Sequence, residues 1–395
     1  MTKQTESKTK VENLSKMPKL RFRAFNKEWE EFKLKDIAKM YDGTHQTPKY
    51  VQQGIPFYSV ENVTANNFSK TKYIAKDIFE KENKRVKIEQ GDILMTRIGD
   101  IGTAKYIDWN VQASFYVSLA LIKPNKSYSG QYIAHYISTN KFQSELWNRT
   151  IHVAFPKKIN LGEIGECLIN IPCSSEQNQI AACLSLIDER LECQRKIIHE
   201  LATAIRIIRE KIFKQQMRFT REKTQWKELK LDDFTDIKKG EQLNKEDLTE
   251  KGIYPCLNGG VNFSGYTDKY NTNANTITIS EGGNSCGYIN FLTSNFWLGG
   301  HCYKIVPKST IDLIYFYHLL KFNEDKIMKL RVGSGLPNIQ QKDLRNFKVS
   351  ITVSSEEQTK IAKFLSSLDD KIETEKQLLE QYKQQKAYLL QNLFI

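Results

Sequence analysis

Two stretches of the chain set apolar residues at alternating spacings of four and three. In the first, Ile180, Leu184, Ile187, Leu191, Ile198, Leu201, Ile205, Ile208 and Ile212 form the series, and Gln194 fills its one gap. In the second, Ile361, Leu365, Leu368, Ile372, Leu379, Tyr382, Leu389 and Leu393 repeat it, with Glu375 in the place of Gln194 and Lys386 as a second polar position. A stripe of this period is an a/d seam, narrower than the face a helix turns to a sheet, and it suits a second helix. Ser174 with Gln177 and Ser355 with Gln358 open the two stretches, and both pairs predict side-chain capping of first-turn amides. Residues 21–173 and 217–353 read differently. Their short apolar runs, among them 92–95, 119–123, 276–280 and 303–306, predict strands within mixed α/β segments.

The two halves of the chain repeat one another. Ser174-Ser175-Glu176-Gln177, then Ile180-Ala181, Leu184-Ser185, Asp188 and Glu192, recur as Ser354-Ser355-Glu356 and Gln358, then Ile361-Ala362, Leu365-Ser366, Asp369 and Glu373. After a one-residue insertion near Glu357 the offset stays at 181 as far as Phe213 and Phe394. Upstream, Trp29-Glu30-Glu31-Phe32-Lys33-Leu34 with Asp36 resembles Trp226-Lys227-Glu228-Leu229-Lys230-Leu231 with Asp233. A looser echo links DILMTRIGDIG at 92–102 to TITISEGGNSCG at 276–287, each an apolar run breaking into a glycine-rich turn. The expected organisation is a flexible polar tail (1–20), a first mixed domain (21–173), a spacer helix (174–216), a second mixed domain (217–353) and a second spacer helix (354–395). In fold class this is α/β (α+β): two tandem mixed domains, separated by long helices that form an antiparallel coiled coil, in a pseudo-two-fold internal repeat.

At 395 residues the chain exceeds one ordinary core, in keeping with two domains. Lys and Arg outnumber Asp and Glu by 59 to 46, a formal charge of +13 that favours a polyanionic partner. The seven cysteines form no C-x-x-C pair, so reduced thiols are expected, with no disulfide and no zinc. No apolar run reaches the ~18 residues of a membrane span, and the first residues are polar, so a soluble cytoplasmic protein without membrane contact is expected.

Catalytic constellations are missing from the sequence. It holds no G-x-x-x-x-G-K-[ST] phosphate loop, no H-E-x-x-H metal pair, no G-x-S-x-G elbow and no N-P-P-[YF]-like tetrapeptide. The six histidines (45, 135, 152, 199, 301 and 318) show no ligand spacing, and Gly333-Ser334-Gly335 is a lone G-x-G that reads as a turn. A binding protein therefore ranks above a catalytic DNA enzyme such as a fused methyltransferase or nuclease. A coiled-coil scaffold that never touches DNA is the other alternative.

Nearly the whole chain after the tail resembles the specificity subunits of type I restriction-modification systems. The resemblance rests on Arg21-Phe22 through Glu28-Trp29-Glu30 with Leu34 and Asp36, on Gly91-Asp92-Ile93-Leu94, on Gly335-Leu336-Pro337-Asn338-Ile339 with Leu344, and on two E-Q-x-x-I-A-x-x-L-x-x-x-D segments, Glu176 to Asp188 and Glu357 to Asp369. The first half departs by carrying Ala154-Phe155-Pro156-Lys157-Lys158-Ile159 where the second has its Gly-x-Pro-Asn. The resemblance implies a non-catalytic subunit whose two target-recognition domains each read one half of a split, asymmetric site on double-stranded DNA. It implies that the helices act as a ruler and dock two modification (methyltransferase) subunits, with restriction (ATP-dependent translocase and nuclease) subunits in the full complex. S-adenosylmethionine, ATP and magnesium would belong to those partners, and none to this chain.

Reading DNA requires polar side chains at base edges and cations on phosphates. The candidates in the first domain are Thr44, His45, Gln46, Thr47, Lys49, Thr96, Arg97, Asp100, Lys157, Lys158 and Asn160. In the second they are Lys238, Lys239, Gln242, Asn244, Asn258, Asn262, Asn284, Arg331, Ser334 and Asn338.

Overall fold

A computed structural model describes residues 17–219, 224–308, 310–333, 335 and 337–395. The first sixteen residues of the expected tail, and Ser334, lie outside the described residues. The chain forms two compact units: one runs to Gln194 and takes in Leu378–Ile395, and the other is Arg195–Gln377. The boundary falls inside both long helices, Ser174–Phe213 and Ser355–Asn392, rather than at their ends.

Each unit is built on a four-stranded antiparallel sheet. In the first unit its order is Ala38–Asp42, Leu119–Pro124, Ile93–Ile98, Asp100–Tyr106. In the second unit the order is Thr235–Lys239, Cys302–Pro307, Thr276–Ser280, Ile289–Leu292. The four strands expected from apolar runs are all present, as central members of these sheets. Burial on both faces explains why they read as continuous apolar runs rather than alternating ones. A smaller sheet lies beside each, with Ile55–Tyr58 parallel to Ser114–Phe115 in the first unit and Tyr254–Leu257 parallel to Trp297–Leu298 in the second.

The helices complete both cores in the same way. Ile180, Ala181 and Leu184 enter the first core together with Leu393 and Phe394. Ile361, Ala362 and Leu365 enter the second together with Ile212 and Phe213, the same positions at the 181-residue offset. Asp188 meets Lys386 at 2.5 Å in the first unit, so the two helical segments there run antiparallel. In the second unit Arg209 approaches Asp369 at 3.8 Å. Along the first seam Ile180, Leu184, Ile187, Leu191 and Gln194 are buried and Ile198 is half-buried. Along the second, Ile361 and Leu365 are buried, and Leu368, Ile372, Glu375 and Leu379 are half-buried.

The repeated Glu-Gln pair is a lock rather than a helix cap. Glu176, fully buried, takes hydrogen bonds from Arg21 Nε and Nη2 at 2.8 Å each. Glu357, also fully buried, takes them from Arg218 at 2.8 Å, from Thr352 at 2.6 Å and from Thr224. The next residue ties the helix to its domain. Gln177 accepts from Ser129 N and donates to the Pro172 carbonyl, while Gln358 accepts from Asp312 N and donates to the Thr352 carbonyl. The expectation that Gln177 and Gln358 cap first-turn amides is thereby corrected: four backbone groups outside these helices, the Pro172 and Thr352 carbonyls among them buried, claim their side chains. The first helix begins at Ser174 itself, and in the second the capping hydroxyl is that of Ser354, which accepts from Glu357 N.

Candidate nucleic-acid interface

The strand order brings the candidate loops to one end of each main sheet. In the first unit, Asp42 pairs with Ala120 and Thr96 with Leu119, so the loop after Asp42, the segment before Leu119 and the hairpin at 98–100 leave from the same edge. The segment 157–159 joins them, with Gly99 N donating to the Lys157 carbonyl at 2.8 Å and Ile159 N to the Arg97 carbonyl at 3.0 Å. The second unit repeats this bond for bond. Gly283 N donates to the Pro337 carbonyl at 3.0 Å and Ile339 N to the Glu281 carbonyl at 2.8 Å. Gly99 and Gly283 both take positive φ, 83° and 75°, a conformation that glycine adopts without strain. Gly43 and Gly240 are equivalent by close approach: a Cβ on Gly43 would lie 2.2 Å from the Phe115 carbonyl oxygen, and one on Gly240 2.3 Å from that of Gly299. This pairing places Lys157-Lys158-Ile159 on Pro337-Asn338-Ile339, so the departing loop of the first half keeps the backbone bonds of the second.

The side chains on this shared frame differ. Arg97 occupies the place of Glu281, Thr44 that of Glu241 and Lys158 that of Asn338. Residues 43–49 line one wall of an open cleft, with Ile78, Lys81, Glu82 and Arg85 opposite. Asp42 ties the two walls together, holding His45 Nε2 and Arg85 Nη1 at 2.6 Å each. Desolvation opposes the Asp42 charge, but these two hydrogen bonds outweigh it and keep the carboxyl below the usual range. Gln46, Thr47 and Lys49 in this wall are exposed and Thr44 is half-buried, and Lys157, Lys158 and Asn160 are exposed as well. Arg97 is nearly buried, its Nε has no hydrogen-bond partner among the described residues, and desolvation lowers its pKa against the pull of Asp42. An unpaired buried donor is costly to keep.

In the second unit Lys238, Lys239, Gln242, Asn244, Asn262, Asn284, Arg331 and Asn338 are exposed. Glu281 binds Lys239 at 2.7 Å and accepts from the Tyr303 hydroxyl at 2.9 Å, with His301 3.9 Å away. Burial, then the bond to Glu281, raises the Tyr303 pKa well above its ordinary value.

Two candidates belong to the frame rather than the exposed face. Thr96 is fully buried, its hydroxyl donating to Asp100 at 2.8 Å and accepting from Thr103 N at 3.0 Å, so it closes the hairpin and Asp100 is its partner. Asn258 is half-buried and accepts from His301 N at 3.1 Å. The sequence reading missed an equivalence as well. His135 and His318, at an offset of 183, each sit buried against the aspartate that ends the helix motif, 3.9 Å from Asp188 and 3.7 Å from Asp369. Extending the repeat from Tyr132 and Tyr315, three residues before them, finds both.

Fold and site together define a binding protein in which one loop-bearing frame is used twice with unlike side chains. A family model described as the type I restriction modification DNA specificity domain matches residues 26–203 and again 223–384, and the chain belongs to this family. It is 38% identical over 157 residues to a protein of Mycoplasma genitalium named as a type I specificity subunit, a match covering 39% of this chain and 41% of that protein. The chain thus spans about two fifths of the length of that relative. A Methanocaldococcus jannaschii protein named as a type I restriction enzyme specificity subunit is 24% identical over 392 residues, 92% of each chain. Among solved structures, the S subunit of a type I restriction-modification system from M. genitalium superposes with a TM-score of 0.63 at 20% identity, covering 96% of this chain and 99% of that one. At that identity the likeness speaks for the fold.

Among the described residues no group of three or more His, Cys, Asp or Glu side chains is placed to hold a metal ion, and no helix is long and apolar enough to cross a membrane.

Proposed function

We propose that this chain is the non-catalytic DNA-reading subunit of a type I restriction-modification complex, each unit reading one half of a bipartite, asymmetric site on double-stranded DNA. The observation that carries this is the repeated sheet end: the same backbone bonds support loops of different chemistry, Arg97 in one and Glu281 in the other. Two readers of one kind would impose a palindrome, whereas unlike readers on a common frame accept two unrelated half-sites. Lysines at 49, 157, 158 and 238 supply phosphate contacts that fix register, and the neighbouring polar side chains read base edges.

The long helices set the gap between half-sites as an antiparallel coiled coil and dock two methyltransferase subunits. The a/d pattern withdrawn from solvent on each helix supports this, as does the antiparallel packing of segments within the first unit. S-adenosylmethionine, ATP and magnesium then serve those methyltransferase and restriction subunits. The purified chain, offered labelled methyl donor and host DNA lacking the modification, is expected to transfer no methyl group until a methyltransferase subunit is added. Transfer by the chain alone would overturn the reading.

A further inference from the structure

The loop 151–158 of the first unit carries a feature that phosphate and base-edge contacts leave unexplained. Its tip presents Val153 and Phe155 fully exposed to solvent, beside the half-exposed Trp147. Solitary exposed apolar residues are ordinary, but an aliphatic and an aromatic side chain fully exposed within three residues are not. The loop is nonetheless anchored at both ends. Ile151 N donates to the Lys158 carbonyl at 2.8 Å, Gly99 N to the Lys157 carbonyl at 2.8 Å, and the His152 ring lies 4.4 Å from that of Trp147 and 2.9 Å from its carbonyl oxygen. Lys157 Nζ lies 4.5 Å over the Trp147 ring. Lys158 is exposed and has no ion-pair partner among the described residues.

We infer that Val153 and Phe155 form an apolar wedge that enters the DNA beside the first half-site and unstacks a base step. The charge around the tip selects this occupant: Lys157 and Lys158 flank it as phosphate contacts, and the stem hydrogen-bonds to the hairpin that bears Arg97. Apolar wedges between base steps gain their energy by bending the duplex onto more protein surface. A tip held at both ends loses little entropy on insertion. The inference rests on the DNA-reading function proposed above.

The test uses the complex purified from its host through a tag on this chain, and duplexes carrying the methylated motif of the host genome with 2-aminopurine at successive positions. With the unaltered complex, fluorescence should rise at one step beside the first half-site. Phe155→Ser should abolish that rise and weaken binding roughly tenfold, as loss of a stacked aromatic does. Lys158→Gln should weaken binding and reduce its salt dependence while leaving the rise in place. Equal fluorescence patterns and equal affinities for the unaltered and Phe155→Ser complexes would overturn the wedge and leave the DNA-reading function standing. Failure of the unaltered complex to bind the duplexes would overturn the function itself. A Phe155→Ser complex that binds DNA normally but has lost a subunit would assign the tip to a protein partner and overturn the wedge.

Discussion

Lowering the pH from 7 to 5 should loosen both units through His135 and His318. Burial, opposed by Asp188, pushes His135 down to about 4, and burial with the nearby Arg209 charge pushes His318 down to about 3. An unfolded histidine titrates near 6.5, so below that pH the unfolded chain binds protons that the folded chain refuses. Stability is therefore full above the unfolded value and falls as pH drops through it. At pH 5 each imidazole remains neutral when folded, and the difference amounts to about 2 kcal/mol per histidine, or about 4 kcal/mol for the pair. Asp369, raised chiefly by desolvation, changes stability in the opposite sense. Urea unfolding at pH 7 and pH 5, followed by circular dichroism, measures the effect. The His135→Gln/His318→Gln double variant should lose most of the pH-dependent drop. A drop in the double variant as large as that of the wild type would refute the assignment to these buried rings.

Glu357→Ala removes the buried acceptor shared by Arg218, Thr352 and Thr224, while the guanidinium keeps its bonds to Thr224 and Gln215, and should cost about 1–3 kcal/mol in denaturant titrations; no measurable change would mean the lock is ornamental. Gly240→Ala, whose Cβ would lie 2.3 Å from the Gly299 carbonyl oxygen, should cost about 1–3 kcal/mol and impair DNA binding while leaving helix content intact on circular dichroism. Four helix-forming residues inserted near Lys196 lengthen the helix by roughly 6 Å and nearly restore its rotational phase. At ~3.4 Å per base pair the gap between half-sites should then grow by one or two base pairs, read directly in the methylated motif. An active enzyme with its original gap would refute the ruler.

The helices and the internal repeat were legible because their signals are local: a seam needs only neighbours three and four residues away, and the 181-residue offset is a literal string match. The central strands were legible as apolar runs, although their order depends on pairing that no run encodes. Thr96 misled because a hydroxyl beside a glycine-rich turn looks alike whether it faces solvent or closes the hairpin on Asp100 and Thr103. Gln177 and Gln358 misled because the capping pattern says nothing of competing backbone groups at Pro172 and Thr352. The Arg21 and Arg218 locks share the 197-residue offset of Trp29 and Trp226, so Arg218-Phe219 was an unread echo of Arg21-Phe22. The exposed tip at Phe155 carried no signal, since exposure follows only from what fails to pack against it.

The central claim is that the two units read DNA independently. Its most direct measurement is methylome sequencing of host cells in which residues 21–173 have been exchanged for those of a relative with a different site. A bipartite motif in which one half-site changes while the other half-site and the gap persist is the predicted result. A motif in which both half-sites change together, or neither does, would contradict the account.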